Sequence, residues 1–173
     1  MPTIGVAIAI PEPWASQLQD YRTAIGDATA TKIPTHITLV PPTEVDELEA
    51  VEKHLAEVAP EFESFCIHLR GTGTFRPVSP VVFVTVVEGI SQCEQLASFI
   101  RGGPLAIDLA YPYHPHVTVA HHLDDTALDK AFAELAGFDC TFEVTEFHLY
   151  LHDEEVGWQP DLSFALRPAA VVT

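Results

Sequence analysis

An internal repeat is the feature that most constrains the fold of this 173-residue chain. When residues 36–69 are laid over residues 116–149 without gaps, nine of the 34 positions are identical. Unrelated sequences of ordinary composition agree at roughly one position in fifteen, so about two matches would arise by chance. The repeat therefore predicts two related halves, at about 1–70 and 80–152, rather than two unrelated domains.

Hydrophobic periodicity repeats together with the sequence. In each half, three segments alternate with a period of two, as strands do, and two segments show the apolar spacing of a helix. The order is strand, helix, strand, helix, strand in both halves, and a closing strand follows at about 157–167. We expect an α+β fold in which two lobes face each other within a single domain spanning residues 1–173. The last strand of the second half is predicted as one element over residues 140–152.

Turn and capping residues set the expected boundaries of several elements. Pro41–Pro42 is expected to end the strand over residues 35–40, because proline cannot donate to a ladder. Thr43 with Asp46 resembles a capping box that would open the next helix. Ser91 with Glu94 is expected to cap the corresponding helix in the second half.

The two halves each carry a His-x-Thr motif on a predicted strand. The motifs are His36-Ile37-Thr38 and His116-Val117-Thr118, 80 residues apart. Residues i and i+2 of a strand share one face, so the histidine and threonine of each motif point away from the core together. A single such motif is more often structural, but two copies on matched strands favour a shared cleft.

Two imidazoles and two hydroxyls suit the cleavage of a phosphodiester. Histidine is the side chain that takes up or releases a proton near neutral pH, so one imidazole can act as base and the other as acid. The hydroxyls of Thr38 and Thr118 can donate to phosphate oxygens as negative charge develops there. The two motifs look alike, so either His36 or His116 can take either role.

The motifs His36-Ile-Thr-Leu-Val40 and Pro115-His-Val-Thr-Val-Ala120 resemble those of the 2H phosphoesterase superfamily, which includes LigT-like 2′-5′ RNA ligases and cyclic phosphodiesterases. The resemblance extends through Gly71–Pro77 and the closing Gly157-Trp158 hairpin. It implies an internally duplicated bilobal fold with two antiparallel sheets lining a central cleft and helices outside. It also implies His36, Thr38, His116 and Thr118 as the catalytic set, 2′,3′-cyclic phosphates or related esters as substrates, and no cofactor or metal.

The charge distribution limits the classes of ligand that we expect the protein to bind. The chain has 25 acidic and 8 basic residues, a net charge of −17, and the place after the second motif, where family members that act on RNA often carry arginine, holds His121-His122. Since nucleic-acid affinity rests on Lys and Arg contacts to phosphates, we expect a small cyclic phosphate or nucleotide rather than long RNA. Apolar runs are too short for a membrane span, and three scattered cysteines favour a cytoplasmic protein. The oligomeric state is left open.

Four further residues are candidate substrate-binding groups. Phe75 could stack on a base and Arg76 could attract phosphate, while His148 and Tyr150 lie on the predicted polar face of the last strand of the repeat. For Phe75 a role as a loop anchor is an equal alternative, and for His148 and Tyr150 so is a solvated sheet face, whereas an isolated arginine such as Arg76 is more often just exposed. The run His114-x-His116-x4-His121-His122 contains no carboxylate or cysteine at ligand spacing, so a dedicated metal site is not expected.

The resulting hypothesis is a metal-independent cyclic phosphodiesterase that acts by two-histidine acid/base catalysis. A non-catalytic nucleotide-binding module on the same fold is one alternative, and RNA 2′-5′ ligation is another. A metal-dependent hydrolase is a third, which loss of activity in EDTA would distinguish.

Overall fold

The computed structural model describes residues 1–170, which contain eight strands and four α-helices. The elements, in chain order, are β1 (Thr3–Ala9), α1 (Trp14–Ala24), β2 (His36–Glu44), α2 (Leu48–Val58), β3 (Phe65–Thr74), β4 (Val81–Glu88), α3 (Ile90–Ile100), β5 (His116–His121), α4 (Asp125–Glu134), β6 (Asp139–Val144), β7 (Glu146–Asp153) and β8 (Gly157–Ala165). Two short 3₁₀ turns, Ala59–Glu61 and Gly103–Leu105, lie between elements.

The strands form two four-stranded antiparallel sheets, in the orders β2-β1-β7-β8 and β5-β4-β3-β6. This arrangement confirms the predicted α+β class with two antiparallel sheets. The first sheet combines β1 and β2 of the first half with β7 of the second half and the closing β8, whereas the second sheet combines β4, β5 and β6 of the second half with β3 of the first. The two motif strands, β2 and β5, occupy corresponding edges of the two sheets.

The segment predicted as one strand over residues 140–152 is divided in the structure, so that prediction was wrong. It forms β6 in the second sheet and β7 in the first, with Thr145 between them. Both pieces alternate between buried and more exposed residues, and the sequence pattern is therefore that of a strand throughout. The division arises because β6 pairs with β3 while β7 pairs with β1 and β8, and these neighbours belong to different sheets.

Pro41 and Pro42 do not end β2, which continues to Glu44. An edge strand needs backbone donors on one side only, so proline is tolerated there. The expected capping boxes are also absent: the Thr43 hydroxyl donates to the Pro41 carbonyl at 2.7 Å within the strand, and α3 begins at Ile90, after Gly89. Gly89 has a φ of +97°, a conformation that glycine adopts without strain.

The core lies between the sheets and the helices that pack on them. Helix α1 packs against β5, and α3 packs against β2, so each motif strand is backed by a helix from the other half of the repeat. Ile37, Leu39, Val117 and Val119 are fully buried, which leaves the intervening motif residues on the opposite face. No helix within residues 1–170 is long and apolar enough to cross a membrane.

Candidate active site

The motif side chains lie on the faces that strand alternation predicts. His36 and Thr38 on β2, and His116 and Thr118 on β5, are all partly exposed. The strand residues between them are among the most buried in the protein. The apolar residues of both motifs therefore pack in the core, and the polar residues remain accessible to a ligand.

Hydrogen bonding fixes the orientation of the His36 ring. Its Nδ1 lies 2.6 Å from the carbonyl oxygen of Pro34, and its Nε2 lies 3.1 Å from the hydroxyl of Thr38. A carbonyl can only accept, so Nδ1 carries the proton in the neutral ring. Nε2 is then unprotonated, and its lone pair accepts from the Thr38 hydroxyl; the same lone pair can serve as a general base when that hydroxyl donates to a ligand instead.

The second motif repeats this geometry. Nδ1 of His116 donates to the carbonyl oxygen of His114 at 2.7 Å, again two residues before the motif histidine. Its Nε2 is therefore the nitrogen available for proton transfer. Because a main-chain carbonyl sets the tautomer in both halves, the two rings are prepared in the same way.

A cavity of about 610 Å³ joins the two motifs. It contains His36, His116 and Thr118 in its wall, and its volume lies within the range of about 300–1,000 Å³ that is usual for small-molecule sites. The other lining residues are Arg22, Asp27, Thr29, Ile33, Phe75, Val78, Ser79, Val81, Tyr111, Pro112, His114 and His121.

One wall of this cavity is aromatic. The ring of Phe75 lies edge-on to the His116 ring, with centroids 4.8 Å apart, and its centroid is 4.5 Å from that of Phe83. Gly73 makes room for this cluster, because a Cβ there would come within 2.6 Å of the Phe83 ring. The cluster fixes the His116 ring and leaves Phe75 in the cavity wall.

Burial favours the neutral form of both motif histidines. The pKa of His116 is lowered to about 4, chiefly by burial and to a smaller extent by nearby His114 and His36, against the opposing effect of the His114 carbonyl. Burial also lowers the pKa of His36, and the positive charge of Arg22 acts in the same direction. In the ligand-free protein both imidazoles are therefore neutral at pH 7.

A family model described as the 2′-5′ RNA ligase superfamily matches residues 10–155. The chain belongs to this superfamily. A Bacillus licheniformis protein named "Putative phosphoesterase" is 30% identical over 144 residues, which cover 81% of this chain and 85% of the relative. The resemblance to 2H phosphoesterases is thereby confirmed, and the relationship supports a phosphoesterase.

Solved structures show the same fold. E. coli LigT in its apo form aligns with a TM-score of 0.73 at 21% identity, covering 96% of this chain and 98% of that chain. A protein of Thermus thermophilus aligns with a TM-score of 0.69 at 22% identity, covering 98% of this chain and all of the other. The duplicated two-sheet architecture is therefore the superfamily fold.

A buried ion pair that was not predicted from the sequence lies in the wall of the cavity. Arg22 and Asp27 have side chains that are 3% and 1% exposed, and Nε of Arg22 lies 3.5 Å from Oδ2 of Asp27. Arg22 also donates to the Ile33 carbonyl at 2.7 Å, and the Asp27 carboxylate accepts from Thr29. One feature of the sequence indicated that Arg22 is buried: it follows Leu18 by one helical turn and so lies on the buried face of α1.

The four proposed substrate-binding residues are placed differently from one another. Phe75 lines the cavity, whereas Arg76 is absent from its lining and its guanidinium forms ion pairs with Asp129 at 2.9 Å and Asp125 at 3.5 Å. The ion pairs hold Arg76 against α4. Strand β3 ends at Thr74 and a turn begins at Arg76, where the two carboxylates of α4 hold the guanidinium.

His148 and Tyr150 lie on β7 in the first sheet. Tyr150 lines a smaller cavity of about 130 Å³ that also includes Thr38 and Trp158 and shares His36 with the main cavity. His148 is absent from the lining of both cavities, and its Nε2 lies 3.5 Å from a carboxylate oxygen of Glu146. Within residues 1–170, no group of three or more His, Cys, Asp or Glu side chains is arranged to hold a metal ion.

Proposed function

We propose that the protein hydrolyses a small cyclic nucleotide ester, such as a 2′,3′-cyclic phosphate, by two-histidine acid/base catalysis. The proposal rests on the matching tautomer and orientation of the His36 and His116 rings. Nδ1–H of each ring donates a hydrogen bond to a main-chain carbonyl, and both rings line one cavity. Family membership supports the phosphoesterase class of the reaction.

The reaction needs one imidazole in each protonation state. The neutral ring removes a proton from water through Nε2, and the resulting hydroxide oxygen bonds to phosphorus. The bond from phosphorus to the leaving ribose oxygen breaks, and that oxygen takes the proton of the other, protonated imidazole. A cyclic diester and water thus become one phosphomonoester, with no cofactor in the balance.

Substrate binding can supply the required protonation. A phosphodiester brings a negative charge to two histidines whose pKa is lowered in the free protein. An opposite charge within a few ångströms favours the protonated form of an imidazole. The cyclic phosphate therefore raises the pKa of the nearer histidine and helps to create the general acid that cleaves it.

Arg22 and the motif threonines add to anion binding. Arg22 is the one Lys or Arg among the residues that line the main cavity within the described chain. The hydroxyl of Thr118 lines the same cavity and can donate to a non-bridging phosphate oxygen. Asp27 lines the same cavity and balances the charge of Arg22, so hydrogen-bond donors rather than net positive charge would bind the anion.

The cavity lining favours a mononucleotide. Phe75 and the exposed ring of Tyr111 offer apolar surface for a base beside His116. Solved complexes of E. coli LigT contain 3′-AMP, ATP or NADP⁺, which supports a nucleotide ligand for this chain also. The single cation of the lining and the overall negative charge argue against ligation or hydrolysis of long RNA.

The test is ³¹P NMR of 2′,3′-cyclic nucleotides incubated with the protein in EDTA. We expect conversion to a 2′- or 3′-phosphomonoester by the wild type and by His68→Asn, and none by His36→Ala or His116→Ala. His68 is the matched control because its Nε2 contacts Asp139 at 2.7 Å, outside the cavity lining. Full activity in either motif variant would refute the mechanism. Binding without conversion would favour a nucleotide-binding module, and activity lost only in EDTA a metal-dependent hydrolase.

A further inference from the structure

The two histidines stand on strands that belong to different sheets. Strands β2 and β5 are both edge strands, and no ladder hydrogen bond joins one to the other in the described sheets. The distance between His36 and His116 therefore depends on contacts between the lobes. Catalysis that needs a base and an acid on one phosphorus is sensitive to that distance.

Tyr113 makes a direct hydrogen bond between the segment before β5 and strand β2. Its hydroxyl donates to the main-chain carbonyl oxygen of Thr38 at 2.8 Å, over a sequence separation of 75 residues. Tyr113 lies three residues before His116, in the segment that leads into β5. Thr38 is the residue whose hydroxyl contacts Nε2 of His36. One hydrogen bond thus joins the backbone of the first motif to the approach of the second.

The surroundings hold the Tyr113 ring in place. The guanidinium of Arg101 lies 5.6 Å from the ring centroid, and its Nε donates to the Ala97 carbonyl of α3 at 3.2 Å. Helix α3 itself packs against β2. Burial raises the pKa of Tyr113, which keeps the phenol protonated and able to donate.

The acceptor lies on an edge strand, β2. An edge strand has one side without a neighbouring strand, and a carbonyl that is shielded from water on that side requires another donor. The Tyr113 hydroxyl supplies a donor to β2 at the position of the motif threonine.

We propose that Tyr113 is a positioning residue that sets the placement of the His36 half-site relative to the His116 half-site. As a role in catalysis, the inference rests on the proposed function, because it acts through the two histidines. Tyr113 is not among the residues that line either cavity described above, so it has no substrate contact to lose.

Tyr113→Phe removes the hydroxyl and keeps the ring that packs against Arg101. We expect kcat for a 2′,3′-cyclic nucleotide to fall about tenfold, which is near the upper end of what one ordinary hydrogen bond contributes. KM should change less than about twofold, because the cavity residues that contact the nucleotide are unchanged. An unchanged kcat would overturn the proposal. A rise in KM as large as the fall in kcat would also overturn it, because that result indicates lost substrate binding.

Tyr21→Phe is the matched control. Within residues 1–170 the Tyr21 hydroxyl is buried and makes no hydrogen bond, and its ring packs on the core from α1. The same chemical change at this position should leave kcat and KM at wild-type values. Both variants are assayed at a temperature at which circular dichroism shows them fully folded, so that loss of folded protein does not contribute.

A second measurement does not depend on the substrate. ¹⁵N NMR of the ligand-free protein reports the tautomer and hydrogen bonding of each imidazole. Tyr113→Phe should shift or broaden the Nε2 signal of His36, while Tyr21→Phe should not. If the wild type proves inactive on cyclic nucleotides, a His36 signal that changes only in Tyr113→Phe would still support the coupling. Unchanged signals would overturn it whether or not the enzyme is active.

Discussion

Acidification should destabilise this protein through His116. Burial lowers the pKa of its imidazole from the ordinary 6.5 to about 4 in the folded state. Between these two values the unfolded chain binds a proton that the folded protein does not. The free energy of unfolding therefore falls as the pH drops from 6.5 towards 4, and the loss is complete below pH 4.

The size of the effect follows from the two pKa values. Their difference corresponds to about 3 kcal/mol when the unfolded form is protonated and the folded form is not. Only part of this loss has developed at pH 4.5, and water in the cavity screens some of the charge. We expect His116 to contribute about 2 kcal/mol of destabilisation between pH 7 and pH 4.5.

Urea unfolding of the wild type and of His116→Asn at both pH values measures this contribution. Asparagine removes the titrating group but keeps an amide that can donate to the His114 carbonyl. Other groups, including His36, titrate in both proteins, and their effects cancel in the comparison apart from the small coupling of His36 to His116. The wild type should lose about 2 kcal/mol more than the variant as the pH falls. Equal losses in the two proteins would refute the argument that burial holds His116 neutral.

Three further outcomes are expected. The maximum of kcat/KM, which reports the free enzyme, should lie below pH 6.5 because burial lowers the pKa of both motif histidines, and a maximum above pH 7 in a pH–rate profile would contradict this. Arg22→Gln should lower the free energy of unfolding, measured in urea, by about 3 kcal/mol, since it leaves the Asp27 carboxylate buried without its ion pair. Addition of Asp27→Asn should restore part of this stability. If stability is not restored, loss of the ion pair is not the cause. Thr118→Val should reduce kcat about tenfold or more while the protein stays folded, through the loss of one hydrogen bond to a charged phosphate, and a wild-type kcat would exclude that contact.

The local part of the site was predictable. His36, Thr38, His116 and Thr118 lie on the predicted faces because alternation along a strand depends only on the strand itself. The repeat showed that the two motifs occupy equivalent positions. Neither argument requires knowledge of which strands are neighbours.

Strand pairing was harder to predict from the sequence. The pattern over residues 140–152 is that of a continuous strand, yet the chain changes sheets at Thr145. Pro41 and Pro42 were expected to end β2, but the strand lies at an edge where their missing N–H groups cost nothing. In both places the sequence is compatible with more than one arrangement, and the neighbouring strands decide between them.

The amino-acid sequence by itself determined the duplicated α+β architecture, the two motifs and the face on which each lies, because these follow from local periodicity and from similarity between the halves. Only the tertiary structure decided that Arg22 and Asp27 line the cavity, that Arg76 is held by α4 instead, and that Tyr113 reaches Thr38. Such contacts join residues that are distant along the chain. They depend on how helices and sheets pack, and no short-range pattern in the sequence records that packing.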